Sequence, residues 1–215
     1  MELKAVSFSY GEEEVIKELS LDLSNGRRVC VMGGSGRGKT TLMRLMLGLI
    51  EPSSGKVLRR PDERPSVVFQ EDRLLPWYSA LRNVSEVHGP RSPASPAELL
   101  EAMELSDARD KLPKELSGGM QRRCAIARAL CFGGDPLLLD EPFKGLDPDL
   151  RGRVAQAIIK YSRGALILLI THDEKEAELL GCGEIIILKT YYVPKQKREC
   201  RQLHSRFFTD QWERF

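Results

Sequence analysis

The sequence predicts an α/β fold, a parallel sheet covered by helices and interrupted by a helical insertion. Three observations carry this. The stretches 136–139 and 165–170 are apolar at every position instead of at alternate ones, as in strands buried on both faces. Strand and helix patterns alternate along most of the chain, the arrangement that builds a parallel sheet between helices. From 71 to 117 that alternation gives way to helical spacing broken by a Pro/Ser segment at 89–96.

In chain order, 3–10 alternates apolar and polar residues until Gly11 and three glutamates break it, a strand and a turn, with a second strand expected at 19–23. Asn25-Gly26 signals a tight turn. A short apolar strand at 28–32 runs into glycines 33–38 and then a helix from Lys39 to about Gly48. Residues 51–66, rich in Pro, Ser, Gly and Arg, hold brief strand signals at 56–58 and 66–69. The insertion has helical spacing at 77–87 and 96–105, and a further helix spans 119–131. Asp147-Pro148 opens the next helix, the aspartate capping and the proline taking the first helical position. Asp173 and Glu176 have the spacing of a capping box for the last one.

Composition narrows the function. The 215 residues are 41% hydrophobic and 30% charged, which excludes disorder and fibrous repeats. Thirty-three basic against 31 acidic residues leave +2, so nucleic acid is not an expected partner. Residues 189–215 hold seven Lys/Arg and three Asp/Glu, +4, which leaves −2 for 1–188 and sets off a basic tail. Five cysteines without a C-x-x-C pair suit reduced thiols in the cytosol. No apolar run approaches the ~18 residues that a membrane span needs, so neither membrane crossing nor export is expected.

Gly33-Gly34-Ser35-Gly36-Arg37-Gly38-Lys39-Thr40 satisfies G-x-x-x-x-G-K-[ST] between an expected strand and an expected helix. Glycines let successive N–H groups turn toward a polyphosphate. Lys39 reaches its terminal phosphates, and the Thr40 hydroxyl suits Mg²⁺. Asp140 and Glu141 end a doubly buried strand, where ligands bind in open α/β sheets. Adjacent strand residues point apart, so Asp140 is assigned to the metal and Glu141 to the attacking water. Ser117, Gly118 and Gly119 open a helix as a second anion-binding end. One nucleotide cannot fill both ends within one subunit.

These residues, with Gln70, Gly145-Leu146-Asp147 and His172, stand in the order and approximate spacing of ATP-binding cassette (ABC) ATPases, which 1–188 resembles. The resemblance implies a P-loop NTPase (RecA-like) core over 1–70 and 118–188, a small antiparallel β part, and the helical insertion 71–117. It implies a head-to-tail homodimer with ATP and Mg²⁺ at the interface, each ATP held by the glycine loop of one copy and the serine-glycine segment of the other. Lys39, Gln70, Glu141 and His172 would serve hydrolysis, and Thr40, Gln70 and Asp140 the metal. The nucleotide would be framed by Tyr10 stacking on adenine, by Gly33, Gly34, Ser35, Gly36, Arg37, Gly38, Lys39, Thr40 and Thr41, and by Ser117, Gly118, Gly119, Gln121 and Asp147.

Within the family, Glu71, Asp72, Arg73, Leu74, Leu75, Pro76 and Trp77, then Leu81-Arg82-Asn83-Val84 and Pro142-Phe143, resemble the ATPase subunits of nitrate, sulfonate and taurine importers. That implies an integral membrane permease as partner, an external solute-binding protein acting indirectly, and a place at the cytoplasmic face of the membrane. Leu74, Leu75 and Trp77 either fill the insertion's own core or receive a permease helix. Arg37 and Lys144 stand where the family commonly has small residues, and the short stretch 55–66 suggests trimmed antiparallel strands. In the tail, Leu203, Phe207, Phe208, Trp212 and Phe215 fall near one face of a possible helix. That face would dock on the protein itself or meet a membrane partner or anionic lipid, unless the tail is loosely ordered. Competing readings are a non-transport ABC ATPase acting on DNA or ribosomes, which usually has a coiled-coil insertion or paired cassettes, and a subunit disabled by its altered tail.

Overall fold

The computed structural model describes residues 1–23, 28–34 and 36–188. The expected turn at Asn25-Gly26, Ser35 and the tail 189–215 fall outside these.

Strands β1 (Glu2–Tyr10), β2 (Glu13–Asp22) and β4 (Ser54–Leu58) form an antiparallel sheet in the order β2-β1-β4. The second strand begins at Glu13, six residues before the expected start. Only Gly11 and Glu12 make the turn, with Tyr10 opposite Glu13, and Gly11 supplies the positive φ of 58° that a two-residue hairpin needs. The glutamates are accommodated because β2 is an edge strand whose outer face is solvated, while Ile16 points inward and is buried.

The second sheet has five parallel strands, β3 (Arg28–Met32), β5 (Ser66–Val68), β6 (Leu137–Asp140), β7 (Ile167–Thr171) and β8 (Glu184–Ile187), in the order β5-β6-β7-β3-β8. Every residue of β6 and β7 is buried, as an unbroken apolar run requires. Alternate residues serve different cores. Val29, Val31, Leu138, Leu168 and Ile170 pack with α1 (Lys39–Leu47) and the antiparallel sheet. Cys30, Met32, Leu137, Leu139, Ile167 and Leu169 pack on the other face with α4 (Gly118–Phe132) and α5 (Pro148–Tyr161).

Residues 71–117 fold as two short helices, α2 (Ala80–Ser85) and α3 (Pro96–Ala102), and two 3₁₀ turns at Ser106–Ala108 and Pro113–Glu115. Ala80, Val84, Leu99, Leu100 and Met103 join the α4 side of the core. The helix expected from Trp77 begins only at Ala80, because Ser79 caps it and fully buried Asn83 holds the preceding loop. Asn83 Oδ1 accepts from Leu75 N–H at 2.8 Å, and its Nδ2 donates to the carbonyls of Leu75, Tyr78 and Ser79 at 2.9–3.1 Å. The capping box expected at α6 (Glu174–Leu179) does not form. Asp173 accepts from Lys175 N–H, while the Glu176 carboxylate takes the Thr171 hydroxyl at 2.5 Å, and Thr171 Oγ1 accepts from Asp173 N–H.

Candidate functional site

The strand order sets the site. The C-terminal ends of β5, β6, β7 and β3 stand side by side and are followed by Gln70, by Glu141 after Asp140, by His172 after Thr171, and by the glycine loop at Gly33. Glu141 leaves the sheet with φ 47°, a left-handed conformation that costs a non-glycine residue energy and is retained where a side chain must be aimed. Its N–H still donates to Ile170 O at 2.8 Å, and its Oε1 lies 3.3 Å from His172 Nδ1. His172 itself is exposed.

Asp140 is 3% exposed, and its Oδ2 is buried with no hydrogen-bond partner. Burial pushes its carboxyl above the usual range and the neighbouring Glu141 charge adds to this, while Lys39 and Arg122 oppose it. A buried carboxylate oxygen without a partner is costly unless a cation meets it, so the Asp140 carboxylate fits a divalent metal.

The start of α1 is bare. The side chains of Ser79, Ser95, Ser117, Asp147 and Asp173 cap α2, α3, α4, α5 and α6, but α1 begins at Gly38 with φ 80° and no side-chain acceptor. Its first N–H groups are open to an anion. A side chain at Gly38 would put Cβ 2.8 Å from Val15 Cγ1, so both the dihedral and the contact with β2 demand glycine. Lys39 Nζ lies across the cradle, donating to Gly33 O at 2.6 Å and Gly34 O at 2.9 Å, and the Arg37 side chain lies over Gly34. Thr40 is exposed and Thr41 buried. Tyr10, at the end of β1, is half exposed and meets α1. Arg44 Nη1 donates to its hydroxyl at 3.4 Å, and a hydrogen bond with Thr41, helped by Arg44, holds its ionisation below the usual phenol value.

The serine-glycine segment forms a second cluster. Ser117 Oγ accepts from Met120 N–H at 3.3 Å. Gly119 lies against the next expected segment, since a Cβ there would stand 3.2 Å from Gly145 O and 3.3 Å from Leu146 Cδ2. Ser117, Gly118, Gly145 and Asp147 are exposed. Asp147 Oδ1 accepts from Leu150 N–H at 3.0 Å, which holds its carboxyl below the ordinary range. Gln121, expected at the nucleotide, turns inward. Its Nε2 donates to Pro113 O and Leu116 O at 3.0 and 3.1 Å, closing the 3₁₀ turn ahead of α4.

Sequence reasoning missed two arginines of α4. Arg122 is 4% exposed and donates to Phe69 O at 2.6 Å and Gln70 O at 2.5 Å, with Asp72 Oδ1 3.0 Å from Nη1. Arg128 donates to Arg73 O and Asp72 O at 2.9 and 3.1 Å. The signal was present in the periodicity, since Arg122 shares a helix face with buried Ile126 and Leu130 at i+4 and i+8.

Comparison with known proteins points to one family. A family model described as ABC transporter matches residues 16–144. The aliphatic sulfonates import ATP-binding protein SsuB of Granulibacter bethesdensis is 40% identical over 208 residues, spanning 91% of this chain and 86% of that protein. SsuB 3 of Paraburkholderia xenovorans is 41% identical over 186 residues, 84% of this chain and 73% of the relative. Among solved structures, the dimeric ATP-binding cassette MJ0796 in a post-hydrolysis state with ADP and Pi superposes with a TM-score of 0.76 at 30% identity, covering 87% of this chain and 94% of that one.

Proposed function

This chain belongs to the ABC transporter family, and from that premise we propose that it is the ATP-hydrolysing subunit of an importer for a small solute of the sulfonate, nitrate or taurine type. It works as a head-to-tail dimer on the cytoplasmic side of a membrane permease, which an external solute-binding protein loads. The observation that carries the reading is the convergence on one edge of the sheet of the bare α1 start, unpartnered Asp140 Oδ2 and the Glu141–His172 pair.

The γ-phosphate lies at the α1 N-terminus against Lys39, whose ammonium leaves the carbonyls of Gly33 and Gly34 when phosphate oxygens replace them. Tyr10 stacks on the adenine. Asp140, Thr40 and Gln70 would hold Mg²⁺, which neutralises charge on the β- and γ-phosphates when bound. Glu141 orients the attacking water and accepts its proton, and His172 holds that carboxylate and the γ-phosphate in register. Ser117, Gly118 and Gly119 bind the γ-phosphate of the partner copy's nucleotide, and Asp147 carries the state of one site to the other. The Gln121 side chain supports the turn before α4, so only its main chain serves that surface.

The two readings left open for the apolar cluster are divided between its residues. Leu74 packs against the core, whereas Trp77 is 68% exposed beside Tyr78 and offers a surface to the permease. No helix among the described residues is long and apolar enough to cross a membrane.

Glu141→Gln tests the assignment. It is expected to bind ATP and accumulate as a dimer on size exclusion while steady-state hydrolysis falls about a hundredfold or more. Near-normal turnover in that variant would reject the role given to Glu141. In cells, the wild-type gene but not Glu141→Gln is expected to restore growth of a deletion strain on an alkanesulfonate as sole sulfur source.

A further inference from the structure

The segment after β5 is held almost entirely by one helix. Four of its main-chain carbonyls, those of Phe69, Gln70, Asp72 and Arg73, accept from guanidinium groups of α4. Arg122 contributes the inner pair from a side chain 4% exposed, and a guanidinium so buried needs both acceptors and a counter-charge. Asp72, on the same segment, supplies the charge at 3.0 Å. The planar fork fixes two carbonyls at once, so direction as well as distance is set. Outside this clasp the segment meets mostly itself: Gln70, Glu71 and Arg73 are exposed, the Arg73–Glu71 ion pair is a surface contact, and the Arg73 guanidinium lies 4.1 Å from the centre of the Phe69 ring.

The same helix begins at Ser117, and Arg123 fastens its first turn to the end of α3, donating to Met103 O at 2.6 Å and Glu104 O at 3.0 Å. Gln70 at one nucleotide and Ser117–Gly119 at the other therefore ride on one rigid rod.

We propose that Arg122, with Asp72 as its counter-ion, is a positioning residue that ties Gln70 to the serine-glycine start of α4. Filling one half-site then sets the orientation of the surface offered to the partner. This rests on the dimeric reading above. Arg122 touches neither nucleotide nor metal, and its effect is on closure of the dimer.

The test uses Glu141→Gln as background and measures two quantities. One is the ATP concentration at half-maximal dimer, by analytical ultracentrifugation. The other is the affinity of a fluorescent ATP analogue at protein concentrations below dimerisation. Adding Arg122→Gln is expected to raise the dimer midpoint about tenfold, the loss of a charge-assisted buried contact, while analogue affinity changes less than about twofold. An unchanged midpoint, or an equal loss in both quantities, overturns the proposal. If Glu141→Gln alone gives no ATP-dependent dimer, the dimeric reading fails instead and the two failures are told apart. Should Arg122→Gln not fold, Asp72→Asn at the partly exposed end of the clasp decides the matter. A midpoint raised about threefold supports the tie, and an unchanged one overturns it.

Discussion

Asp140 is charged at a cost to the empty protein. Its carboxyl is raised by burial and by Glu141, so ionisation is less favourable folded than unfolded. For a carboxyl raised in the folded state the penalty is fully present above the raised value. It fades as pH falls through that value toward the ordinary 3.8. Asp140→Asn is therefore expected to raise the thermal midpoint of the nucleotide-free protein at neutral pH, with the gain shrinking on acidification, while ATP turnover drops about a hundredfold. Scanning calorimetry across pH checks the first part and a phosphate-release assay the second. A lower midpoint at neutral pH would contradict the account of the buried charge. Burial acts in the same direction on two cysteines, at no such cost, since a thiol is neutral below its raised value. Burial drives Cys30 and Cys124 up to about 12, which leaves them as thiols that serve packing.

At the scale of elements, polar side chains facing inward decide where segments end. Asn83 spends its whole amide on the loop that presents Trp77, so Asn83→Ala strands a buried N–H and several carbonyls and is expected to cost about 2 kcal/mol. Urea denaturation at unchanged slope measures this. Periodicity was a sound guide wherever packing alone chose the element. The doubly buried strands β6 and β7 and the helices opened by Ser117 and Asp147 were legible for that reason. The glycine loop and Asp140-Glu141 were legible because each has a chemical reason for its spacing. Long-range hydrogen bonds were not. Nothing local to Asn83 shows that it binds residue 75, and nothing near Glu176 shows that Thr171 takes its carboxylate from the capping box. The Gln121 amide likewise goes to the carbonyls of a turn behind it, and the acceptors of Arg122 lie 53 and 52 residues away along the chain.

For the whole molecule, the five-stranded sheet separates two apolar layers, and in the function proposed above ligand closure is a property of two such molecules. A ligand that binds only the paired state makes stability depend on protein concentration. In Glu141→Gln with ATP, the thermal midpoint is expected to climb as protein concentration rises, and without nucleotide to stay fixed. Differential scanning fluorimetry over a hundredfold dilution range distinguishes the two. The layer holding α2 and α3 is continuous with that of α4 and the sheet, and the row of α4 that meets α2 is made of small side chains, Cys124, Ala127 and Cys131. Such a face has low ridges and shallow furrows. α2 can therefore lie close against α4, with the Cys124 thiol donating to the Ala80 carbonyl at 3.7 Å.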